Sequence, residues 1–176
     1  MPEPEVLVIN TGPILALIAA CGDLALLRKM YREVIVPREV MAELVRRGVD
    51  DFGVAEVLDA KWLSLRSENV EIGSVLRKSL DTGEAAVIQT ALDLHLGVVC
   101  IDETLGRRWA RLHGLAVTGS LGVLLKAIER GHPVDFDECI ARMRSHGVWL
   151  SERTAAKARK LAVGLRANIP HPSCLD

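Results

Sequence analysis

Seven polar side chains stand where a sheet protein does its chemistry. Asn10 directly follows the aliphatic run Val6-Leu-Val-Ile9, Asp102 and Glu103 follow Val98-Val-Cys-Ile101, and Thr118 and Ser120 follow Leu115-Ala-Val117. Glu43 lies on the helical stretch after Val34-Ile-Val36, and Glu84 opens the stretch leading to Val98. In open α/β sheets ligands bind outside the carboxyl ends of the strands, so these positions converge on one edge. Carboxylates gathered there can hold a hard divalent cation through oxygen, with the Asn10 amide as a neutral neighbour. Each residue also has a plainer reading. Asp102 can cap its helix. Glu84 can close a variant capping box with Asp81, through Asp81-Thr-Gly-Glu84. Glu43 can pair with Arg47 one turn on. Asn10 can be a turn residue bonded to its own backbone. Against the Glu84 alternative stands the stripe Val87, Ile88 and Ala91, which should face the sheet and carries Glu84 at its end. A buried carboxylate needs a partner or a cation. No Gly-rich dinucleotide fingerprint or phosphate-binding loop is present, which disfavours a nucleotide cofactor.

The elements that must position these residues alternate. Strands are expected at Val6–Ile9, Val34–Val36, Trp62–Leu65 (edge-like), Val98–Ile101 and Leu115–Val117. Helices are expected over Ile14–Ala20, Leu24–Tyr31 behind an Asp23 cap, Pro37–Arg47, Phe52–Asp59, Glu84–Leu96, Asp102–His113 and Leu121–Arg130. Alternation of this kind implies an α/β fold with a central parallel sheet of about five strands covered on both faces. After Gly131-His-Pro133 the strand signals stop. Two helices, Phe136–Ser145 and Ser151–Leu165, read as a helical hairpin appended to the same domain, so residues 1–131 form the α/β unit and 132–176 its extension. Ile140 with Met143, and Leu161 with Leu165, are the apolar faces expected to bury this hairpin.

Composition narrows the class. The 176 residues are 49% hydrophobic and 26% charged, enough apolar surface to fold as one domain and to exclude disorder. Only six residues are aromatic, which argues against an extended stacking platform for bases; Trp62, Trp109 and Trp149 are read as core or interface fillers. A net charge of −1 excludes a generally basic nucleic-acid coat. The longest apolar run, Ile14–Cys21, is too short to span a membrane, and the acidic start does not resemble a signal peptide. Cys21, Cys100, Cys139 and Cys174 form no CxxC pair, which suits reduced thiols in the cytoplasm. The five histidines show no ligand spacing. Arg107 and Arg111, with Arg108 beside them, and Arg46 with Arg47 could rim a site for an anionic substrate or be a solvated face.

Several segments taken in order resemble a known family. Val8-Ile-Asn-Thr-Gly-Pro-Ile-Leu15, Val34-Ile-Val-Pro-Arg-Glu-Val-Met-Ala-Glu-Leu44, Asp81-Thr-Gly-Glu-Ala-Ala86, Cys100-Ile-Asp-Glu103 and Val117-Thr-Gly-Ser-Leu-Gly122 are similar to a PIN domain. The similarity is to the prokaryotic branch long described only as a domain of unknown function and akin to VapC-like toxin ribonucleases. It covers about residues 5–131, and the hairpin fits the same branch. The resemblance implies a PIN-like three-layer sandwich and a metal-dependent ribonuclease using Mg²⁺ or Mn²⁺. Asn10, Glu43, Glu84 and Asp102 would be the catalytic positions, with Glu43, Glu84 and Asp102 holding the metal. Thr11, Glu103, Thr118, Ser120, Arg107 and Arg111 would support the site or meet RNA. It also implies a small antitoxin partner and a homodimer. Two positions depart from the family: Asn10 replaces its leading aspartate, and Val117-Thr-Gly-Ser120 lacks its late acidic residue.

Overall fold

The computed structural model describes residues 5–167. Five strands, β1 (Val6–Ile9), β2 (Glu33–Val36), β3 (Ser64–Leu65), β4 (Val98–Cys100) and β5 (Ala116–Thr118), form one sheet in the order β3-β2-β1-β4-β5. Every pairing is parallel. The first strand is therefore the middle of the sheet: Val8 lies opposite Ile35 on one side and Val99 on the other. Parallel strands need crossovers, and crossover helices cover both faces, which explains strands aliphatic at nearly every position. Leu7, Val8 and Ile9 are fully buried, each contributing about 1.5–3 kcal/mol of burial.

Among the described residues ten helices surround the sheet: α1 (Thr11–Cys21), α2 (Ala25–Met30), α3 (Arg38–Arg47), α4 (Val54–Asp59), α5 (Ser74–Ser79), α6 (Thr82–Asp93), α7 (Thr104–Leu112), α8 (Ser120–Glu129), α9 (Phe136–Ser145) and α10 (Glu152–Ala167). α1 begins before Pro13, which lies in the first turn, where a missing N–H leaves nothing unpaired. Gly22 ends α1 with a φ of 88°, and its N–H closes on Ile18 O at 2.7 Å. α5 has no counterpart among the expected helices. Six residues with one buried apolar side chain, Leu76, give no readable period. α7 begins at Thr104 rather than Asp102, leaving both Asp102 and Glu103 outside the helix.

The hairpin packs on the helical layer: α9 lies on α1, and α10 on α8 and α9. Ile140 and Met143 are fully buried, as the spacing predicts. α10 behaves otherwise. Its buried face is Ala155, Ala158 and Ala162, while Leu161 is 49% exposed. Small side chains let the helix axes approach closely, and the leucine is turned outward as a result. Ser151 starts α10, its Oγ accepting from Thr154 N at 3.1 Å. Cys21, Cys100 and Cys139 are free thiols, and Cys174 lies outside the described residues. Among the described residues no helix is long and apolar enough to cross a membrane.

Candidate active site

The carboxyl edge of the sheet gathers the polar residues. Asn10, immediately after β1, is tied to the neighbouring strand by its N–H, which donates to Cys100 O at 3.0 Å. Its side chain is 4% exposed, and Asn10 Oδ1 has no hydrogen-bond partner. Next to it, Thr11 Oγ1 donates to Glu43 Oε2 at 2.8 Å, which fixes Glu43 from α3 onto the start of α1. This bond replaces the alternative pairing of Glu43 with Arg47, whose guanidinium instead meets Asp51 at 3.2 Å.

Glu84 lies in the first turn of α6. Its N–H donates to Asp81 Oδ1 at 2.7 Å, so half of the capping box is real. The side chain is 4% exposed and turns inward, and Glu84 Oε1 is another buried oxygen without a partner. Burial, and then the charges of Asp81 and Glu103, push its carboxyl up to about 7. Glu103 is also raised, first by enclosure and then by Asp102 and Asp81, with a hydrogen bond from the Asn10 side chain working the other way. Glu103 thus neighbours Asn10, Glu84 and Asp102 and stands centrally in the cluster.

Asp102 does different work. It caps no helix of its own. Its Oδ1 accepts from Ser120 N at 2.8 Å, which locks the loop after β4 to the start of α8. Enclosure by the cleft walls raises its pKa, opposed by the Ser120 amide and hydroxyl and by Arg107. Arg107 is turned inward as well. Its Nη1 donates to Ile101 O at 2.7 Å and to Thr118 O at 2.9 Å, clamping the ends of β4 and β5 together. Thr118 Oγ1 makes only a long contact with Gly119 O at 3.4 Å. Arg111 is exposed and does not line the cleft described below.

Glycines make room for these side chains. A β-carbon at Gly83 would lie 3.0 Å from Asn10 Oδ1, 3.0 Å from Glu43 Oε2 and 3.5 Å from Asp81 Oδ1. One at Gly12 would lie 2.8 Å from Glu103 Oε1. Gly106 and Gly119 press in the same way on Glu84 Oε1 and on Asp102 Oδ1. Three of the four belong to Thr-Gly pairs, at 11–12, 82–83 and 118–119. Each pair sits at a helix start against a site side chain, and the repetition was the available signal for these positions. The starts of α1, α6, α7 and α8 all meet this edge, and their positive dipole ends favour anions there.

Beside the acidic edge opens a cleft of about 750 Å³. Gly12, Asp102, Glu103, Thr104 and Arg107 line one side, with Ser120 at the start of α8; Val148 to Ser151 and Thr154, between and within the hairpin helices, line the other. Sequence reasoning did not place the hairpin at the site.

These residues suit a hydrated divalent ion better than a closed cage. Among the described residues no three His, Cys, Asp or Glu side chains are grouped so as to hold a metal by themselves. Yet Asn10 Oδ1 and Glu84 Oε1 are buried and unpartnered, and Gly83 leaves a hollow bounded by the oxygens of Asn10, Glu43 and Asp81. Mg²⁺ keeps several waters and takes only one or two carboxylates, so such a set fits it.

No curated protein matches the chain. A family model described as a PIN domain matches residues 6–163, and so covers the sheet, the acidic edge and most of the hairpin. A PIN domain is in general a nuclease fold that uses divalent ions and acts on RNA. On that match, with the five-stranded parallel sheet and its acidic carboxyl edge, the chain belongs to the PIN-domain family.

Proposed function

We propose that the chain is a metal-dependent endoribonuclease that cleaves phosphodiester bonds of single-stranded RNA with Mg²⁺ or Mn²⁺. The observation that carries this reading is the pair of buried oxygens, Asn10 Oδ1 and Glu84 Oε1, left without partners in a cluster of carboxylates. An orphaned buried acceptor costs about 1–3 kcal/mol, and a cation relieves that cost for several oxygens at once. Glu43, Glu84 and Asp102 would hold the ion, in part through its waters, with Glu103 beside them and Asn10 adding a neutral oxygen. When bound, the ion supplies acidity to a water nucleophile and positive charge against the phosphate. Without it, Glu84 keeps a proton up to about pH 7 and so lowers the repulsion in the cluster. Thr11 holds Glu43 in place, and Ser120 holds Asp102. The start of α7 lines the cleft and presents backbone N–H groups to a phosphate, while the first N–H of α8 is taken by Asp102. The toxin role, with a small antitoxin bound and the chain acting as a cytoplasmic homodimer, belongs to the same proposal. A small antitoxin-like reading frame directly upstream would support it, and a monomeric mass at high concentration would count against the dimer.

The test is cleavage of a labelled single-stranded RNA with Mn²⁺, with a chelator and with the Glu84→Gln variant. Cleavage that requires both the ion and Glu84 is the expected result. The absence of both cleavage and stabilisation by Mn²⁺ would overturn the reading. A second reading is a catalytically weakened PIN domain that binds RNA or protein. It is favoured by Asn10, which brings no charge where the family has an aspartate. Stabilisation by Mn²⁺ without turnover would select it.

A further inference from the structure

Trp149 is 85% exposed, more than any other large apolar side chain that the structure leaves in solvent. It lies in the turn between α9 and α10 and lines the cleft that opens beside Glu103 and Asp102. The turn is built to hold it out. Val148 and Leu150, on either side, are half-buried and pack against the core. The Val148 N–H returns to Met143 O at 3.0 Å, and Gly147 takes a φ of 79° to allow that reversal. Arg144 meets Glu152 at 2.8 Å across the turn, and Ser151 Oγ lies 2.8 Å from Thr154 Oγ1 at the cleft wall. Its two neighbours are packed, so the indole stands out alone rather than as one member of an apolar patch. The other exposed large apolar side chains on these faces, Leu105, Leu112, Leu161 and Val163, do not line the cleft.

We propose that Trp149 is the stacking platform of a nucleobase subsite, occupied by a base of single-stranded RNA whose backbone passes the acidic edge. The proposal rests on the nuclease reading above for the direction of the strand and adds a recognition element to it. A cleft of about 750 Å³ has room for a nucleotide. The face of an indole is sequence-tolerant, because every base has a π-face. The hydroxyls of Ser151 and Thr154 stand where a ribose or base edge would meet them. The starts of α7 and α8, on the opposite wall, favour the phosphate that connects the base to the scissile position. In a chain with six aromatic residues, placing one of them in water at the mouth of the acidic cleft calls for a flat ligand.

The test uses the whole chain with Mg²⁺ and a fluorescein-labelled single-stranded RNA oligomer. Binding is read by anisotropy and by tryptophan emission, and cleavage separately. Base stacking is worth about 1–3 kcal/mol, so Trp149→Ala should weaken binding roughly 5- to 150-fold. KM should rise accordingly, with kcat less affected, and an unchanged melting temperature should show that the fold is intact. Trp149→Phe should restore most of the affinity. An oligomer of abasic nucleotides should bind wild type and Trp149→Ala alike. RNA affinity unchanged in Trp149→Ala overturns the proposal, and so does a fall in molecular mass with RNA affinity intact, which would make the indole an interface between copies. If wild type binds RNA through Trp149 but cuts nothing, the nuclease reading fails and the subsite stands. If wild type cuts RNA with Trp149-independent affinity, the subsite fails and the nuclease reading stands. No RNA binding at all overturns both.

Discussion

Replacing Glu84 by Gln tests the acidic cluster without needing a substrate. The carboxyl is raised from 4.5 to about 7, chiefly by burial. A raised acid binds its proton more tightly in the folded chain than in the unfolded one. Its contribution is therefore complete below about pH 4.5 and is lost as the pH climbs to about 7, beyond which the loss levels off. At about 1.36 kcal/mol per pKa unit, ionised Glu84 costs the folded chain on the order of 3 kcal/mol at pH 8. Gln is neutral and of nearly the same shape, so Glu84→Gln should match wild type near pH 4.5. By pH 8 it should be more stable by that amount, which for a chain of this length is about 6–12 °C in melting temperature. Saturating Mg²⁺ or Mn²⁺ at pH 8 should close the gap by stabilising wild type alone. Melting curves of both forms from pH 4.5 to 8.5, with and without the ion, decide it. Parallel pH profiles for the two forms would refute the burial argument, and an ion that stabilises both equally would place the cation elsewhere.

Asn10→Asp adds a charge at constant shape; it should lower the melting temperature of the metal-free chain near neutral pH, raise its stabilisation by Mn²⁺, and increase RNA cleavage. If neither stabilisation nor rate changes, Asn10 is a turn residue only. Gly83→Ala puts a methyl group into the hollow beside Asn10 and Glu43; Mn²⁺-dependent stabilisation should fall at least tenfold in apparent affinity while the circular dichroism spectrum stays the same. Arg107→Met keeps the stem but removes two charge-assisted bonds to strand ends, and urea denaturation should show a loss of about 2–3 kcal/mol; an unchanged midpoint would mean that β4 and β5 close without the clamp.

The sheet was legible because its strands are short aliphatic runs separated by breakers, and burial on both faces leaves such runs no other reading. Asn10, Glu43, Glu84 and Asp102 could be placed from the same runs, because each follows or precedes one of them at the same end; that they act together on an ion is the proposal made above. What each side chain does there was less accessible. Asp102 does not cap its own helix but ties its loop to Ser120, a partner 18 residues on that no local pattern encodes. Arg107 carries a charge that suggests substrate, yet the carbonyls at two strand ends draw it inward. Trp149 was read as a core or interface filler; the core half fails because Val148 and Leu150 take the packed positions and leave the indole 85% exposed. Leu161 was assigned to the buried face of α10 by size, whereas close helix packing on α8 selected alanines.

The position of β1 has a consequence for how the chain is made. Its two neighbours both come later in the sequence, β2 soon after it and β4 only from Val98. A growing chain that has emerged to about residue 95 carries Asn10, Glu43 and Glu84 but leaves the β4-facing edge of its central strand open. Asp102 and Glu103 are not yet present, and the Ser120 and Arg107 contacts that fasten their loop arrive later still. Every amino-terminal fragment that stops short of Ser120 is thus incomplete at the acidic edge. On the ribonuclease reading proposed above, translation interrupted before that point would release pieces that lack Asp102 and Glu103 or the contacts that fasten their loop.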